Sequence, residues 1–399
     1  MKKMKIPITR PVIDDSDRKN ILKPLESGWL VQGPCVAEFE RVFRKFTKSK
    51  FAKAVSSCTA ALHLSLEALG IKAEDRVVAP SFTYVASANS IEYTGAKTLF
   101  CDIDIKTFNI DVNRLADILE KDRSKRIKAV IPVNLFGLCA DLTGIIKLAK
   151  RYNIKVIEDS ACGLGAYIDA KHSGTFGDIG CFSFHPRKPI TTGEGGMVIT
   201  DSLKIDVKIS SLRDHGAAKT DLNRHNTKGA SILPEFNIRG YNYRMTDLQG
   251  ALGISQMKKA EEILEKRIKI AQRYNKTLRC EKKLSIPYVP PGYIHSYQSY
   301  VCLFTNGLDP SELTIDRIDK LNKERNGFMM KLEAKGISTR QGTHAVHTLG
   351  YYKNKYRLRN NDYHYSYAAD RLSIALPLYS DMTDKEFDYV ISNIAEILN

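Results

Sequence analysis

One lysine stands between two prolines in the stretch Gly180–Thr200 (GCFSFHPRKPITTGEGGMVIT). Pro186 and Pro189 restrict the backbone, so Lys188 is presented from a stiffened turn between two short strands. A lysine amine in such a position can attack an aldehyde and form a Schiff base. The glycines of the following TTGEGG run allow the backbone to pass close to a bulky group. An ordinary surface lysine in a hairpin is the alternative for this stretch taken alone.

Further polar side chains follow strands that the sequence predicts before this turn. Lys155–Asp159 (KVIED) predicts a buried strand that ends in two carboxylates, with Glu158 on the opposite face from Asp159. Ser56–Thr59 precede a helical pattern, where hydroxyls and free amides either cap the helix or bind an anion. Tyr84 follows another strand. Ligands of parallel sheets gather at the carboxyl ends of the strands, so we expect these groups to lie together.

The elements that must position these side chains predict an α/β fold. Buried strands such as Ile127–Leu135 alternate with amphipathic helices such as Val36–Thr47 and Leu142–Tyr152. The lysine turn itself is expected between strands Cys181–His185 and Gly196–Thr200. This alternation is typical of a mainly parallel sheet with helices on both faces.

A long helix divides the chain into two predicted domains. The capping box of Thr246 and Gln249 marks its start, and its helical pattern continues to about Thr277. We therefore predict a large domain over residues 1–258, and a linking helix with a small C-terminal α/β domain over residues 259–399. The elements predicted for the small domain are Tyr297–Phe304, Asp316–Lys335, Ala375–Tyr379 and Asp384–Leu398.

Composition narrows the class of protein. The chain has 399 residues, 43% of them hydrophobic, and we expect neither a transmembrane segment nor a signal peptide. The eight cysteines are spread singly, which favours reduced thiols in a cytoplasmic protein over disulfides or a zinc site. The net charge of +16 favours anionic partners. Because no nucleic-acid-binding motif accompanies it, a phosphorylated cofactor and substrate explain the charge as well.

Together, these features meet the requirements of pyridoxal phosphate. The lysine would form the Schiff base, and the buried aspartate would keep the pyridine nitrogen protonated. An aromatic side chain would stack on the ring, and the capped helix start would take the phosphate. Their order along the chain is phosphate loop, aromatic residue, aspartate and lysine, which is the order of large aminotransferase-type folds.

The chain resembles the DegT/DnrJ/EryC1/StrS family of sugar aminotransferases, within the aspartate-aminotransferase (fold type I) superfamily, from about residue 5 to the C-terminus. The motifs that carry the resemblance are SGWLVQGPCVAEFE, AVSSCTAALHLSLEALGI, VVAPSFTYVASANSI, VIEDSACGLGA, GDIGCFSFHPRKPITTGEGG, GYNYRMTDLQGALG and ALPLY. It implies a large domain that binds pyridoxal phosphate, with a mixed, mainly parallel sheet flanked by helices, and a smaller C-terminal α/β domain.

The resemblance also implies roles for individual residues. Lys188 is expected to form the internal aldimine and to shuttle the proton, while Asp159 pairs with the pyridinium nitrogen. Tyr84 is expected to stack on the ring. The residues assigned to the phosphate are Ser57, Cys58, Thr59 and Ser183. Asn242 is similar to an asparagine that reaches the phosphate of the neighbouring subunit, which implies a homodimer with a shared active site.

Two positions depart from the family pattern. Residue 58 is often glycine and residue 162 often glutamine, where this chain has Cys58 and Cys162. The glutamine meets the 3′-oxygen of the cofactor, so Cys162 is expected to lose this contact or to leave it to water, with Asn134 as a substitute donor. The substrate pocket is assigned to Trp29, His185, Arg239 and His344, with Arg340 and His347 as further contributors. His344 and His347 lack a third metal ligand, so no metal is expected.

Lys188 also separates two reactions, because the dehydratase branch of the family has histidine at this position. The resemblance therefore implies a cytoplasmic aminotransferase that converts a nucleotide-linked keto-sugar, 4-keto-6-deoxy or 3-keto, to an amino-sugar. The expected donor is L-glutamate, which becomes 2-oxoglutarate, and the product would enter surface polysaccharides or antibiotic sugars. The alternatives are a sugar dehydratase, a cyclitol aminotransferase and a non-enzymatic regulatory protein. We expect no nucleic-acid or membrane partner.

Overall fold

A seven-stranded sheet forms the centre of the computed structural model, which describes residues 4–218, 235–309 and 312–398. Its strands lie in the spatial order Phe51–Val55, Gly196–Thr200, Ile179–Ser183, Lys155–Asp159, Ile127–Val130, Arg76–Pro80 and Lys97–Cys101. Gly196–Thr200 pairs antiparallel with both neighbours, and the other neighbouring strands pair parallel. The predicted α/β fold with a mixed, mainly parallel sheet is therefore confirmed.

Helices cover both faces of the sheet because its strands are apolar on both sides. In strand Lys155–Asp159, Val156 packs into the core on one face and Ile157 into the core on the other. The helices of this part of the chain are Asp15–Ser27, Pro34–Thr47, Cys58–Leu69, Ala86–Tyr93, Val112–Lys121, Leu142–Tyr152, Leu203–Leu212 and Asp247–Lys258. Every helix in the described ranges is too short or too polar to cross a lipid bilayer.

Two strands of the sheet differ in length or position from their predicted bounds. The strand predicted over Ile127–Leu135 ends at Val130, because Pro132 has no amide hydrogen for the ladder. The first strand of the lysine hairpin ends at Ser183, since the chain already turns at His185. The sequence patterns thus predict where the strands lie, whereas a proline and a turn determine where these two strands end.

The long helix predicted from residue 246 to about residue 277 is wrong as a single element. It consists of Asp247–Lys258 and Ala260–Leu278, separated at Lys259. Lys259 Nζ lies 2.6 Å from Asp14 Oδ2 and 2.5 Å from Asp17 Oδ2. These contacts join the break to the start of helix Asp15–Ser27, which is distant in the sequence. The helical periodicity of the segment does not reveal them.

The C-terminal part of the chain builds a smaller α/β unit. Its sheet has the order Leu284–Ser285, Tyr300–Phe304 and Ser373–Leu376, with antiparallel pairs. Its helices are Ile315–Ala334, Gly350–Tyr356, His364–Leu372 and Asp384–Leu398. Ile6 bridges to Ile337 and is buried in the core of this unit, so the first described residues pack with the C-terminal part. The division at residues 258 and 259 stays a prediction.

Two short strand pairs connect the C-terminal unit to the large sheet region. Tyr293–Ile294 pairs with Tyr167–Ile168, which also pairs with Lys171–His172. His344–Ala345 pairs with Phe82–Thr83, directly before Tyr84. The C-terminal unit therefore reaches the edge of the sheet where the site residues lie.

Candidate active site

The lysine, the aspartate and the helix start that were predicted to bind the cofactor meet at the carboxyl edge of the parallel strands. Asp159 ends strand Lys155–Asp159, and the adjacent parallel strand ends at Ser183. Lys188 lies in the loop that leaves Ser183 and returns as the antiparallel strand Gly196–Thr200. The neighbouring strand Phe51–Val55 leads into Ser57 and helix Cys58–Leu69. Parallel topology thus places the lysine, the aspartate and the helix start at one edge.

The turn of Lys188 is held by His185 as well as by the prolines. The backbone amide of Lys188 donates to the carbonyl of His185 at 2.8 Å. The amide of Arg187 donates to Nδ1 of His185 at 3.2 Å, and burial lowers the pKa of His185, which favours the neutral ring that this bond requires. His185 was assigned to the substrate pocket, but its Nδ1 supports the turn. Its Nε2 is the atom left to face a substrate.

The amine of Lys188 lies in a partly buried position among groups that carry or can acquire negative charge. Its Nζ donates to Cys162 Sγ at 3.2 Å. Burial works to lower the pKa of Lys188, but Cys162, Cys58 and Asp159 oppose this effect, and the pKa is raised overall. Without a cofactor, the lysine is therefore an ammonium ion at neutral pH.

Asp159 is a buried carboxylate, 4% exposed, whose hydrogen bonds come from neutral groups. Ser87 Oγ donates to Oδ2 at 2.7 Å, and the amide of Ala161 donates to Oδ1 at 3.1 Å. Burial raises the pKa of Asp159, and Ser87, Ala161 and Lys188 oppose this effect. A protonated ring nitrogen beside this carboxylate would supply the positive charge that these hydrogen bonds lack.

The helix start at Ser57 provides amides for an anion. Ser57 Oγ accepts the amide of Ala60 at 3.1 Å, and the first helical bond runs from Ala61 to the Ser57 carbonyl. The amides of Cys58 and Thr59 precede this bond and have no acceptor within the helix. A helix start of this kind favours a phosphate group through its amides and its dipole.

Gly196 explains how the antiparallel strand passes this helix start. A Cβ atom at residue 196 would lie 2.5 Å from the carbonyl carbon and oxygen of Ser57 and 2.7 Å from the amide nitrogen of Cys58. The TTGEGG run was expected to approach a bulky group, and at Gly196 that neighbour is the protein backbone. Glycine at this position therefore allows the strand to pass close to the backbone at the helix start.

We expect Gly196→Ala to weaken both the fold and cofactor binding, because the new methyl group must displace the backbone at Ser57. Overpacking of this kind costs about 1–3 kcal/mol of unfolding free energy. Urea denaturation would measure the loss, and titration of the apoprotein with pyridoxal phosphate would measure a weaker Kd. Gly327→Ala is the matched control, since a Cβ there meets no atom within 4 Å. Equal stability and equal Kd of Gly196→Ala and the wild-type chain would contradict this role.

Tyr84 and Ser183 lie beside these groups. Tyr84 is 65% exposed and immediately follows strand Phe82–Thr83, so its ring is accessible to a planar ligand. Ser183 is partly buried, and its Oγ accepts the amide of His185 at 3.4 Å. Ser87 was not predicted, although it lies three residues after Tyr84 in the same motif. Helix Ala86–Tyr93 carries its hydroxyl to Asp159.

Asn134 does not replace glutamine as a donor to the cofactor, contrary to our expectation. Its Nδ2 donates to Glu158 Oε2 at 3.1 Å and to Ser160 Oγ at 2.8 Å, while its Oδ1 accepts the Ala140 amide at 3.0 Å. Both amide hydrogens are therefore used within the fold. Glu158 accepts the amides of the loop at residues 174–177 and so faces away from Asp159, as predicted.

The histidines of the C-terminal loop have different environments. His344 is exposed and pairs in register with Thr83, the residue before Tyr84. His347 is fully buried, with Nδ1 2.6 Å from Ser81 Oγ and Nε2 3.1 Å from the Asn360 carbonyl. Both ring nitrogens of His347 bind protein groups, so its expected contribution to the substrate pocket is wrong.

Trp29 packs against the backbone of the loop that precedes helix Pro34–Thr47. Its Nε1 donates to the Gln32 carbonyl at 3.4 Å, and a Cβ at Gly33 would lie 2.0 Å from the same nitrogen. Asp247, which was not predicted, holds this loop: its carboxylate accepts the amides of residues 33, 35 and 36 at 2.8–3.0 Å. The capping box at Thr246 predicts the helix start, but it does not indicate that Asp247 also binds the amides of this loop.

Arg239 and Asn242 are exposed on the segment that follows residue 234. Arg239 lies 3.8 Å from Glu67, more than two turns beyond Ser57 on helix Cys58–Leu69, so this chain does not bring it to its own lysine. The backbone of Asn242 bridges to Asp214. Arg239 is thus engaged on the helix surface of its own chain, and the side chain of Asn242 is exposed.

The chain is similar in sequence and in fold to several known proteins. The sequence model of the DegT/DnrJ/EryC1/StrS aminotransferase family matches residues 11–395. Spore coat polysaccharide biosynthesis protein SpsC of Bacillus subtilis is 33% identical over 393 residues, which cover 98% of this chain and 97% of that protein. GDP-perosamine synthase of Caulobacter vibrioides is 33% identical over 396 residues, with coverages of 99% and 98%. The structure of Spr1654 from Streptococcus pneumoniae in its PMP-form has a TM-score of 0.86 at 26% identity, with coverages of 99% and 98%.

Proposed function

The chain belongs to the DegT/DnrJ/EryC1/StrS aminotransferase family, and from this premise we propose that it aminates a nucleotide-linked keto-sugar with L-glutamate as donor. The observation that carries the proposal is the lysine amine of Lys188 beside the buried carboxylate of Asp159, at an edge where a helix start offers free amides. This arrangement offers a partner for the aldehyde, the ring nitrogen and the phosphate of pyridoxal phosphate.

The chain's own groups divide the work of holding the cofactor. Lys188 would bind its aldehyde carbon, Asp159 would keep its ring nitrogen protonated, and the amides of Cys58 and Thr59 would bind its phosphate. The exposed ring of Tyr84 would cover one face. When bound, pyridoxal phosphate supplies the carbon that carries the amino group and a ring that withdraws electrons.

Lys188 has a second task in the proposed reaction. An amine in its position can remove the proton from the carbon that bears the amino group of L-glutamate, and can return a proton to the sugar carbon that receives it. Histidine at this position would not permit a Schiff base, so the lysine favours amino transfer over the dehydratase alternative. Asp159 would hold a positive charge on the ring nitrogen, because its carboxylate is buried and little screened by water.

Several observations support the sugar-nucleotide substrate and the assembly that we propose. The name GDP-perosamine synthase, borne by a relative of similar length, indicates a nucleotide-linked product for that enzyme. The net charge of +16 favours a diphosphate. Exposed His344 pairs with Thr83, directly before Tyr84, and would contact the substrate from there. The exposed side chain of Asn242 supports a homodimer with a shared site. The eight free cysteines support a cytoplasmic protein.

Product analysis with a panel of nucleotide-linked 3-keto and 4-keto-6-deoxy sugars tests the proposal. We expect an amino-sugar and 2-oxoglutarate in equal amounts when L-glutamate is the donor, measured by liquid chromatography and mass spectrometry. A deoxygenated sugar without 2-oxoglutarate would favour the dehydratase, and amination of a cyclitol ketone alone would favour the cyclitol enzyme. A chain that acquires no visible absorbance from pyridoxal phosphate and turns over no ketone would favour a regulatory protein.

A further inference from the structure

The amine of Lys188 donates a hydrogen bond to the sulfur of Cys162. The two groups come from different loops: Cys162 follows strand Lys155–Asp159, and Lys188 lies in the next loop along the sheet edge. The Nζ to Sγ distance of 3.2 Å is within hydrogen-bonding range for a sulfur acceptor. The family often has glutamine here, which has no proton to give up at neutral pH, whereas a thiol can exchange its proton with an amine.

Other titratable groups also face this amine. Cys58 faces it from the start of helix Cys58–Leu69, Asp159 from the end of its strand, and His185 from the turn of Lys188 itself. Among these, Cys162 makes the hydrogen bond, and it is the first of the groups that favour the ammonium form. Among these groups, Cys162 is therefore the one in direct hydrogen-bond contact with the free amine.

We propose that Cys162 holds the ammonium of Lys188 whenever this lysine is not bonded to the cofactor, and so sets the pH at which the chain takes up pyridoxal phosphate. The inference rests on the proposed function, in which Lys188 binds and releases the cofactor. Only the unprotonated amine attacks an aldehyde, so the bond to Cys162 restrains the free lysine. Cys162 is then a positioning residue that acts through Lys188.

The sign of the effect follows from the groups that remain. Without Cys162, burial still lowers the pKa of Lys188, while one of the groups that raise it is gone. The amine then loses its proton at lower pH, so uptake of the cofactor becomes fast at lower pH. Loss of the hydrogen-bond acceptor that favours the ammonium form is expected to lower this midpoint by about one pH unit.

The first experiment follows the visible absorbance of the full-length apoprotein after addition of pyridoxal phosphate, over a range of pH. We expect the midpoint of the uptake rate to fall by about one unit in Cys162→Ala and Cys162→Val, whose side chains offer the Lys188 amine no acceptor. Cys280→Ala, at an exposed and remote thiol, should keep the wild-type midpoint. A midpoint that is unchanged in both Cys162 variants overturns the inference, although uptake itself would still support the cofactor assignment.

A second experiment does not use the cofactor. Iodoacetamide alkylates a thiolate: a carbon–sulfur bond forms and iodide leaves, so a neighbouring ammonium that stabilises the thiolate accelerates the reaction. Peptide mass spectrometry of the apoprotein gives the rate at Cys162, with exposed Cys280 of the same molecule as the reference. We expect Lys188→Met to slow alkylation of Cys162 by about tenfold relative to Cys280. An unchanged ratio would overturn the contact, whether or not the proposed function holds.

Discussion

Replacement of Lys188 by methionine is expected to abolish amino transfer while leaving the fold intact. Methionine has a similar length and needs no hydrogen-bond partner, and the amine makes its hydrogen bond to the weak acceptor Cys162. Loss of a residue that acts as both nucleophile and proton carrier lowers kcat by about a thousandfold or more. The variant should also fail to develop the visible absorbance that pyridoxal phosphate gains when it is bound to a lysine.

The measurement separates chemistry from folding. Circular dichroism and urea denaturation of the apoprotein should agree with the wild type, because the change leaves the backbone bond to His185 in place. Release of 2-oxoglutarate from L-glutamate, without any sugar, reports the first half of the reaction alone. Lys204→Met, at an exposed lysine, is the matched control and should retain full activity. A Lys188→Met protein that is coloured and active would refute the assignment of this lysine.

The candidate catalytic residues could be predicted from the sequence, whereas the residues that hydrogen-bond to the site and to its loops could not. Lys188 and Asp159 could be predicted because each follows a strand, and parallel strands bring their carboxyl ends to the same edge. Asp247 and Ser87 were missed because their partners lie far away in the sequence, at residues 33–36 and at Asp159. No local pattern records such a pair.

Sequence alone also could not separate the residues predicted to bind substrate from those with a structural role. His344 and His347 are three residues apart and look equivalent in sequence, yet one is exposed next to Tyr84 and the other is buried. The difference arises from the pairing of His344 with Thr83, which turns the second ring towards Ser81. Asn134 likewise follows a strand, but the loop it supports uses all of its hydrogen-bonding capacity. Residue type and position in a loop therefore identify candidates, and tertiary contacts select among them.

Replacement of Asp159 by asparagine is expected to separate activity from the stability of the apoprotein. Asparagine has the same shape and can keep an oxygen towards the Ala161 amide, but it cannot stabilise a protonated ring nitrogen. We expect kcat for 2-oxoglutarate release to fall by about a hundredfold or more, because a charged partner in a buried site is lost. The lysine is still present, so visible absorbance should still develop, in contrast to Lys188→Met.

Although activity should fall, the stability of the Asp159→Asn apoprotein at neutral pH should rise. Burial raises the pKa of Asp159, so the folded wild type holds its proton more tightly than the unfolded chain does. The free energy of unfolding therefore falls as pH rises from the ordinary carboxyl range through the raised pKa. The asparagine variant has no carboxyl group to ionise here, so its free energy of unfolding should not fall in this way. It should therefore be the more stable apoprotein at neutral pH, which urea denaturation at several pH values would measure. If the variant instead lost stability at neutral pH and kept full activity, Asp159 would be a structural residue rather than the partner of a cofactor.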